Sequence, residues 1–233
     1  YVSQTPVEQA HIADALVFEL SKVERPDIRS RVVSHLLNID AGLAATVARG
    51  LRLEPMPAPA PAARPTRQDL PPSPKLSILR NGPRTFAGRK VGVLVSDGVD
   101  AAVLAGLRTA LAAEGAALVL VAPAVGGVTD SAGTRHPADQ RVDGGPSVLF
   151  DAVAVLASRE GVEGLARMAA ARDFVSDAAA HHKFVGYSAA ALFERAGVPL
   201  DEGFVRLDAA DACAGFVTTL RRLRFWDRGA AKQ

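Results

Sequence analysis

Between Thr5 and Gly50, apolar positions recur at intervals of three and four. Ile12, Leu16, Leu20 and Val23 form a stripe, flanked by Ala13 and Val17, and that spacing puts them on one face of an α-helix. Thr5-Pro6-Val7-Glu8 supplies its start: threonine caps, proline suits the first helical position, and the glutamate completes a capping box. A second helix is predicted from Pro26-Asp27, carrying Ile28, Val32, Leu36 and Leu37, and a third from Asp40 as its cap to Gly50 as its stop. A helical segment this short, with a broad apolar face, is a poor independent domain. It is expected to pack either on the rest of the chain or on a separate protein body.

Beyond Arg89 the pattern changes to short continuous apolar runs that alternate with helical stripes. Val91–Val95, Leu118–Ala122, Ala152–Leu156 and Phe184–Tyr187 are predicted strands of the kind buried on both faces of a parallel sheet, with Phe204–Leu207 as an edge strand. Between them, Asp100–Glu114 turns Val103, Leu104, Leu107 and Leu111 inward and stops at Gly115. Further helices are predicted at Gly161–Ala170, Arg172–His181, Ala189–Ala196 and, at the end, Ala209–Asp227. Gly126–Gly145 is loop-rich, with a small hairpin expected around Arg141–Asp143. Strand–helix alternation predicts an α/β fold with a doubly wound parallel sheet and right-handed crossovers.

Nine of the fifteen prolines fall between Glu54 and Arg84. Proline cannot donate to a helix or a ladder, so this stretch is predicted to stay extended, as a linker or a surface strap. The chain thus divides into a helical segment (1–53), a proline-rich stretch (54–88) and an α/β domain (89–233). Its 233 residues, 48% apolar and 22% charged, exclude a disordered, collagenous or disulfide-stapled protein. The formal net charge is +2. The densest basic cluster, Arg221, Arg222, Arg224 and Arg228, has no interleaved aromatic platform and is expected to be a solvated helix face rather than a nucleic-acid site. One cysteine cannot form an internal disulfide, so a reducing compartment is expected. The longest apolar runs fall far short of the ~20 residues of a membrane span, and Tyr1–Ala10 has no signal-peptide pattern. Because the first residue is not methionine, a fragment or a processed product is expected.

Ligands of such sheets bind beyond the carboxyl ends of the strands. After the first strand, Ser96-Asp97-Gly98-Val99-Asp100 offers one glycine and two carboxylates. That composition disfavours a phosphate and suits a tight turn with Asp100 as helix cap. Gly126-Gly127 is expected to be a turn. Ser188 follows the fourth strand, where α/β hydrolases carry a nucleophile, but Ala189 and Ala190 stand where flanking glycines belong. The nearest candidate bases in sequence, His181 and His182, precede the same strand, roughly 13 Å away at ~3.3 Å per residue. Ser188 is therefore expected to be a helix N-cap. Cys213, with Phe216, Val217 and Leu220 at helical spacing, is expected to be a small core residue. His181-His182 suits a helix C-terminus. No catalytic residue, cofactor-binding residue or metal ligand is assigned.

Four passages resemble the C-terminal portion of large-subunit monofunctional haem catalases. They are Ser3–Ile12 with Ala15–Val23, Arg31–Ile39, Gly88–Gly98, and Pro146–Val153 with the closing Arg224-Phe-Trp-Asp-Arg228. The resemblance covers essentially the whole chain. It implies catalase-related helices followed by a flavodoxin-like domain of the class I glutamine amidotransferase superfamily. Where enzymes of that superfamily carry Cys-His-Gly after the fourth strand, this chain has Tyr187-Ser188-Ala189. The parent enzyme is implied to dismute hydrogen peroxide as a cytoplasmic homotetramer, at a haem held by a preceding β-barrel. Tyr1 begins the helical region and does not match the proximal tyrosine, so no haem residue is carried over. The chain is expected to hold no cofactor and to be inactive alone, serving structure, assembly and stability. Its expected partners are the haem-barrel domain and the other subunits of the tetramer, with no nucleic acid or membrane. The alternative is a holdase-type chaperone module, with a Ser188 or Cys213 hydrolase behind it.

Overall fold

The computed structural model describes residues 1–67 and 69–230. Gln68, in the proline-rich stretch, and residues 231–233, at the end of the expected α/β domain, lie outside the described residues. The chain forms two compact units, Tyr1–Gly82 and Pro83–Gln233.

The first unit holds α1 (Pro6–Ser21), α2 (Pro26–Leu36) and α3 (Ala41–Gly50). The sequence signals act as physical caps. Thr5 Oγ1 accepts from Glu8 N while the Glu8 carboxylate accepts from Thr5 N, and Asp40 accepts from Leu43 N. Ala13, Leu20, Val33, Leu36, Leu43, Ala44, Val47 and Ala48 form one core. Burying each of its larger side chains contributes about 1.5–3 kcal/mol, and this packing holds together helices that are marginal alone. Gly50 lets α1 and α3 approach, since a Cβ there would lie 2.6 Å from Val17.

As far as Gly82 the proline-rich stretch belongs to this unit and runs back across its helices. Ala60 N donates to Ser34 O (2.9 Å), Asn38 Nδ2 to Ala60 O (2.8 Å), Thr66 Oγ1 to Asn38 O (2.6 Å) and Ser73 N to Ser3 Oγ (2.9 Å). Prolines leave few backbone donors, so the contacts are made by the residues between them. The stretch ends in a 3-10 turn, Pro74–Leu76, and a single helical turn, α4 (Ile78–Asn81).

The second unit runs β1 (Lys90–Val95), α5 (Ala101–Glu114), β2 (Ala117–Ala122), β3 (Val128–Thr129), β4 (Arg135–His136), β5 (Gln140–Arg141), β6 (Ala152–Leu156), α6 (Arg159–Arg167), α7 (Ala169–Ala180), β7 (Val185–Tyr187), α8 (Ala191–Ala196), β8 (Phe204–Arg206), α9 (Ala212–Leu220) and α10 (Asp227–Ala230). Six strands make one sheet in the order β5-β2-β1-β6-β7-β8, and every pair is parallel. Strand alternation sorts the side chains. Val93, Val95, Ala154 and Leu156 share a core with Leu104, Leu107 and Leu111 of α5 and Phe216 and Leu220 of α9. Leu94, Val153 and Val155 share the opposite core with Leu165, Phe174, Val175, Leu192 and Phe193 of α6 to α8. Burial on both faces explains the continuous apolar runs. Gly92 admits the Phe150 ring onto the strand, where a Cβ would lie 2.2 Å from it.

Three expectations need correction. The hairpin is β3–β4, antiparallel, while Gln140–Arg141 joins the main sheet beside β2. The terminal helix does not run to Asp227: α9 stops at Leu220 and the chain turns through Leu223 at φ 66°. Tertiary pairing overrides helical spacing there, because the turn puts Phe225 into the core and lets Phe225 N donate to His182 O (2.7 Å). The arginine cluster is solvated only in part: Arg221 and Arg222 are exposed, whereas Arg224 is half-buried and Arg228 buried. Arg221 pairs with Glu114 (2.6 Å), Arg222 lies over the Phe184 ring, Arg224 donates to Asp151 O (2.9 Å), and Arg228, buried, clasps Asp201 (2.6 Å).

Candidate functional site

The carboxyl ends of β1, β6 and β7 open on a cleft of about 200 Å³ whose polar lining is Asp100, Ser158, Ser188 and Asp208. Here the serine hydroxyls bond to backbone. Ser188 Oγ accepts from Ala157 N (3.0 Å) and donates to Ala157 O (3.1 Å), joining the end of β7 to the end of β6. It is not the expected N-cap: α8 begins three residues later, at Ala191, behind Ala190, which makes no side-chain cap bond. Ser158 caps α6, accepting from Gly161 N (2.9 Å) and donating to Asp97 O (2.8 Å). Ser96 Oγ accepts from Ser158 N (3.2 Å) and donates to Asp97 O (3.3 Å). A nucleophilic hydroxyl needs a base within hydrogen-bond reach, and these hydroxyls have backbone partners instead.

The carboxylates are likewise occupied. Asp100 caps α5 through Val103 N (2.9 Å), and Asp97 Oδ1 accepts from Thr129 N (2.8 Å). The β3–β4 hairpin is thereby tied to the turn after β1, where Gly98 takes φ 75° and donates to Thr129 O (2.8 Å). Within the hairpin, buried Asp130 accepts from Ala132 N, Thr134 N and His136 Nε2 (2.8 Å). The His136 bond, with the backbone donors, holds its carboxyl below the usual range. This pair was not singled out in the sequence; Gly133 at φ 87°, a turn signal between Asp130 and His136, is the available hint.

Cys213 is fully buried in α9, its Sγ donating to Val103 O (3.5 Å), and burial pushes its thiol pKa up. Reactive thiolates need the opposite environment. His181 ends α7 and its Nδ1 lies 2.7 Å from Asp177 O. Sequence spacing also passed over Lys183. This residue is buried, with Nζ donating to Ser147 O and to Phe150 O (2.6 Å). Burial, then the nearby Arg224, pulls its pKa down to about 8. Among the described residues no group of three or more histidine, cysteine, aspartate or glutamate side chains is placed to hold a metal ion. No described helix is long and apolar enough to cross a membrane.

Residues 1–51 match the family profile described as catalase-related immune-responsive, and residues 87–230 match the C-terminal domain found in long catalases. Catalase C of Rhizobium meliloti (strain 1021) is 56% identical over 232 residues, covering 98% of this chain and 33% of the relative. Catalase HPII of Pseudomonas putida is 36% identical over 238 residues, covering 100% of this chain and 33% of the relative. Catalase HPII of Pseudomonas aeruginosa is 38% identical over 233 residues, covering 98% and 32%. The chain therefore spans about one third of the length of these relatives. With the C-terminal profile matched over most of its length, the chain belongs to the long-catalase family and carries its C-terminal domain.

Proposed function

We propose that this chain is the non-catalytic C-terminal portion of a long haem catalase, supporting the structure, assembly and stability of an enzyme that dismutes hydrogen peroxide to water and oxygen. The family match over residues 87–230 carries the reading. The serines that line the carboxyl edge of the sheet and bond to backbone support it. Its partners are then the haem-barrel domain and the other subunits of a homotetramer, in the cytoplasm.

The sheet order supports a flavodoxin-like assignment. Counting the five strands β1, β2, β6, β7 and β8 in chain order gives 2-1-3-4-5, the flavodoxin arrangement. We divide the chain into a helical segment (1–53), a proline-rich strap (54–88) and the flavodoxin-like domain (89–233).

The residues present do not fit a haem. Catalase iron takes a tyrosinate; of the two tyrosines, Tyr1 begins the helical unit and Tyr187 ends β7 packed edge-on against Phe193. No haem step is assigned to this chain. The purified chain with added haemin is expected to give no Soret band and no oxygen release from peroxide. Turnover near that of a whole catalase overturns the proposal.

A further inference from the structure

Between Pro74 and Asn81 one serine is turned inward and three large apolar side chains are turned outward. Ser77 is 1% exposed. Its Oγ donates to the Glu8 carboxylate (2.9 Å) and accepts from Arg80 N (3.2 Å), which caps α4. Leu79 N donates to Glu8 Oε1 (3.0 Å), and Gln4 Nε2 donates to Leu76 O (3.1 Å). Glu8 also accepts from Thr5 N (2.8 Å) and Thr5 Oγ1 (2.9 Å). Burial alone raises its pKa, but the bonds from Thr5, Leu79 and Ser77 outweigh that and hold it at about 2, so the clasp is charged throughout the neutral range. Ser77 thus faces inward, while Lys75 and Arg80 stay exposed. The apolar side chains face out: Leu76 is 62% exposed, Ile78 70% and Leu79 40%. Three large apolar side chains exposed this close together mark this tip as a contact site.

We propose that Leu76, Ile78 and Leu79, held in place by the Glu8–Ser77 clasp, form a preformed docking surface for the portion of a long-catalase polypeptide that precedes the catalase-related helices. The inference rests on the parent-enzyme reading above. Two observations select this occupant. In the relatives about two thirds of the polypeptide lies outside the matched stretch, and the matched stretch carries the C-terminal domain. The tip is also bonded to Gln4 and Glu8, and Ser73 just before it to Ser3, all within the opening residues of the catalase-related match. Ordering by the clasp lowers the entropy lost on docking.

The test is hydroxyl-radical footprinting of Leu76, Ile78 and Leu79. It compares this chain alone with a chimera in which the chain replaces the aligned third of Rhizobium meliloti Catalase C. Labelling is expected to be high in the chain alone at all concentrations and several-fold lower in the haem-loaded chimera. Ile78→Asp with Leu79→Asp is expected to leave the melting of the chain alone unchanged and to lower that of the chimera. Equal labelling in an active chimera overturns the docking surface and leaves the parent reading standing. Protection already present in the chain alone also overturns it: concentration-dependent protection assigns the tip to a second copy, and concentration-independent protection to the α/β unit. A folded, haem-loaded chimera without peroxide dismutation overturns the parent reading, and the docking surface with it.

Discussion

Lys183 couples the stability of the α/β unit to pH. Its ammonium lies in the core, with Ser147 O and Phe150 O as acceptors. Burial lowers its pKa from the ordinary 10.5 to about 8. The unfolded chain therefore binds the proton more tightly than the folded one, and stability rises with pH between those two values. It is fully gained above about 10.5 and lost as the pH falls through about 8. At about 1.4 kcal/mol per tenfold change in proton affinity, the difference amounts to about 3 kcal/mol. Lys183→Met removes the titrating group and leaves two buried carbonyls without their donor, so its absolute stability shifts as well. The diagnostic quantity is the slope with pH rather than the level. Trp226 is the sole tryptophan and lies in this unit, so urea titrations followed by its fluorescence at pH 7.5, 9 and 10.5 report the unit directly. The Cys213 thiol and other groups titrate in both proteins and cancel in the comparison. The wild-type chain should gain about 3 kcal/mol over the Lys183→Met chain across that range. Parallel pH profiles would refute the argument.

Two more substitutions probe the fold at separate points. Arg228→Ala removes a bidentate partner of Asp201 and a donor to Lys183 O. It should destabilise the unit by about 3–5 kcal/mol, the cost of breaking a mostly buried pair, and an unchanged urea midpoint would contradict the assignment. Ser188→Ala unties Ala157 from the end of β7 and should cost about 1–3 kcal/mol with no change in oxygen release by the Catalase C chimera; loss of turnover at unaltered stability would give Ser188 a chemical role.

Local signals carried much of this structure. Thr5-Pro6-Val7-Glu8 and Asp40 start helices because their side chains reach backbone donors three residues ahead, a distance that spacing alone encodes. Val91–Val95 and Ala152–Leu156 are visible as strands because both sheet faces are covered. What escaped depends on partners far along the chain. Ser188 bonds across to Ala157 instead of forward to its own helix. Leu223 turns out of a helical pattern because Phe225 and Arg228 have sites waiting on other elements. Lys183 has the acceptors Ser147 O and Phe150 O, which no periodicity points to. At the candidate site, the carboxyl-edge turns were located from sequence, but the destinations of their hydroxyls were not.

The outer strands of the sheet carry a further consequence. On one rim β5 is two residues long and ends in exposed Arg141; on the other β8 is three residues long and ends in exposed Arg206. Open ladder groups at such rims invite pairing with a neighbouring molecule, and brevity plus positive charge resists it. A domain of this design can be held at high local density without polymerising rim to rim.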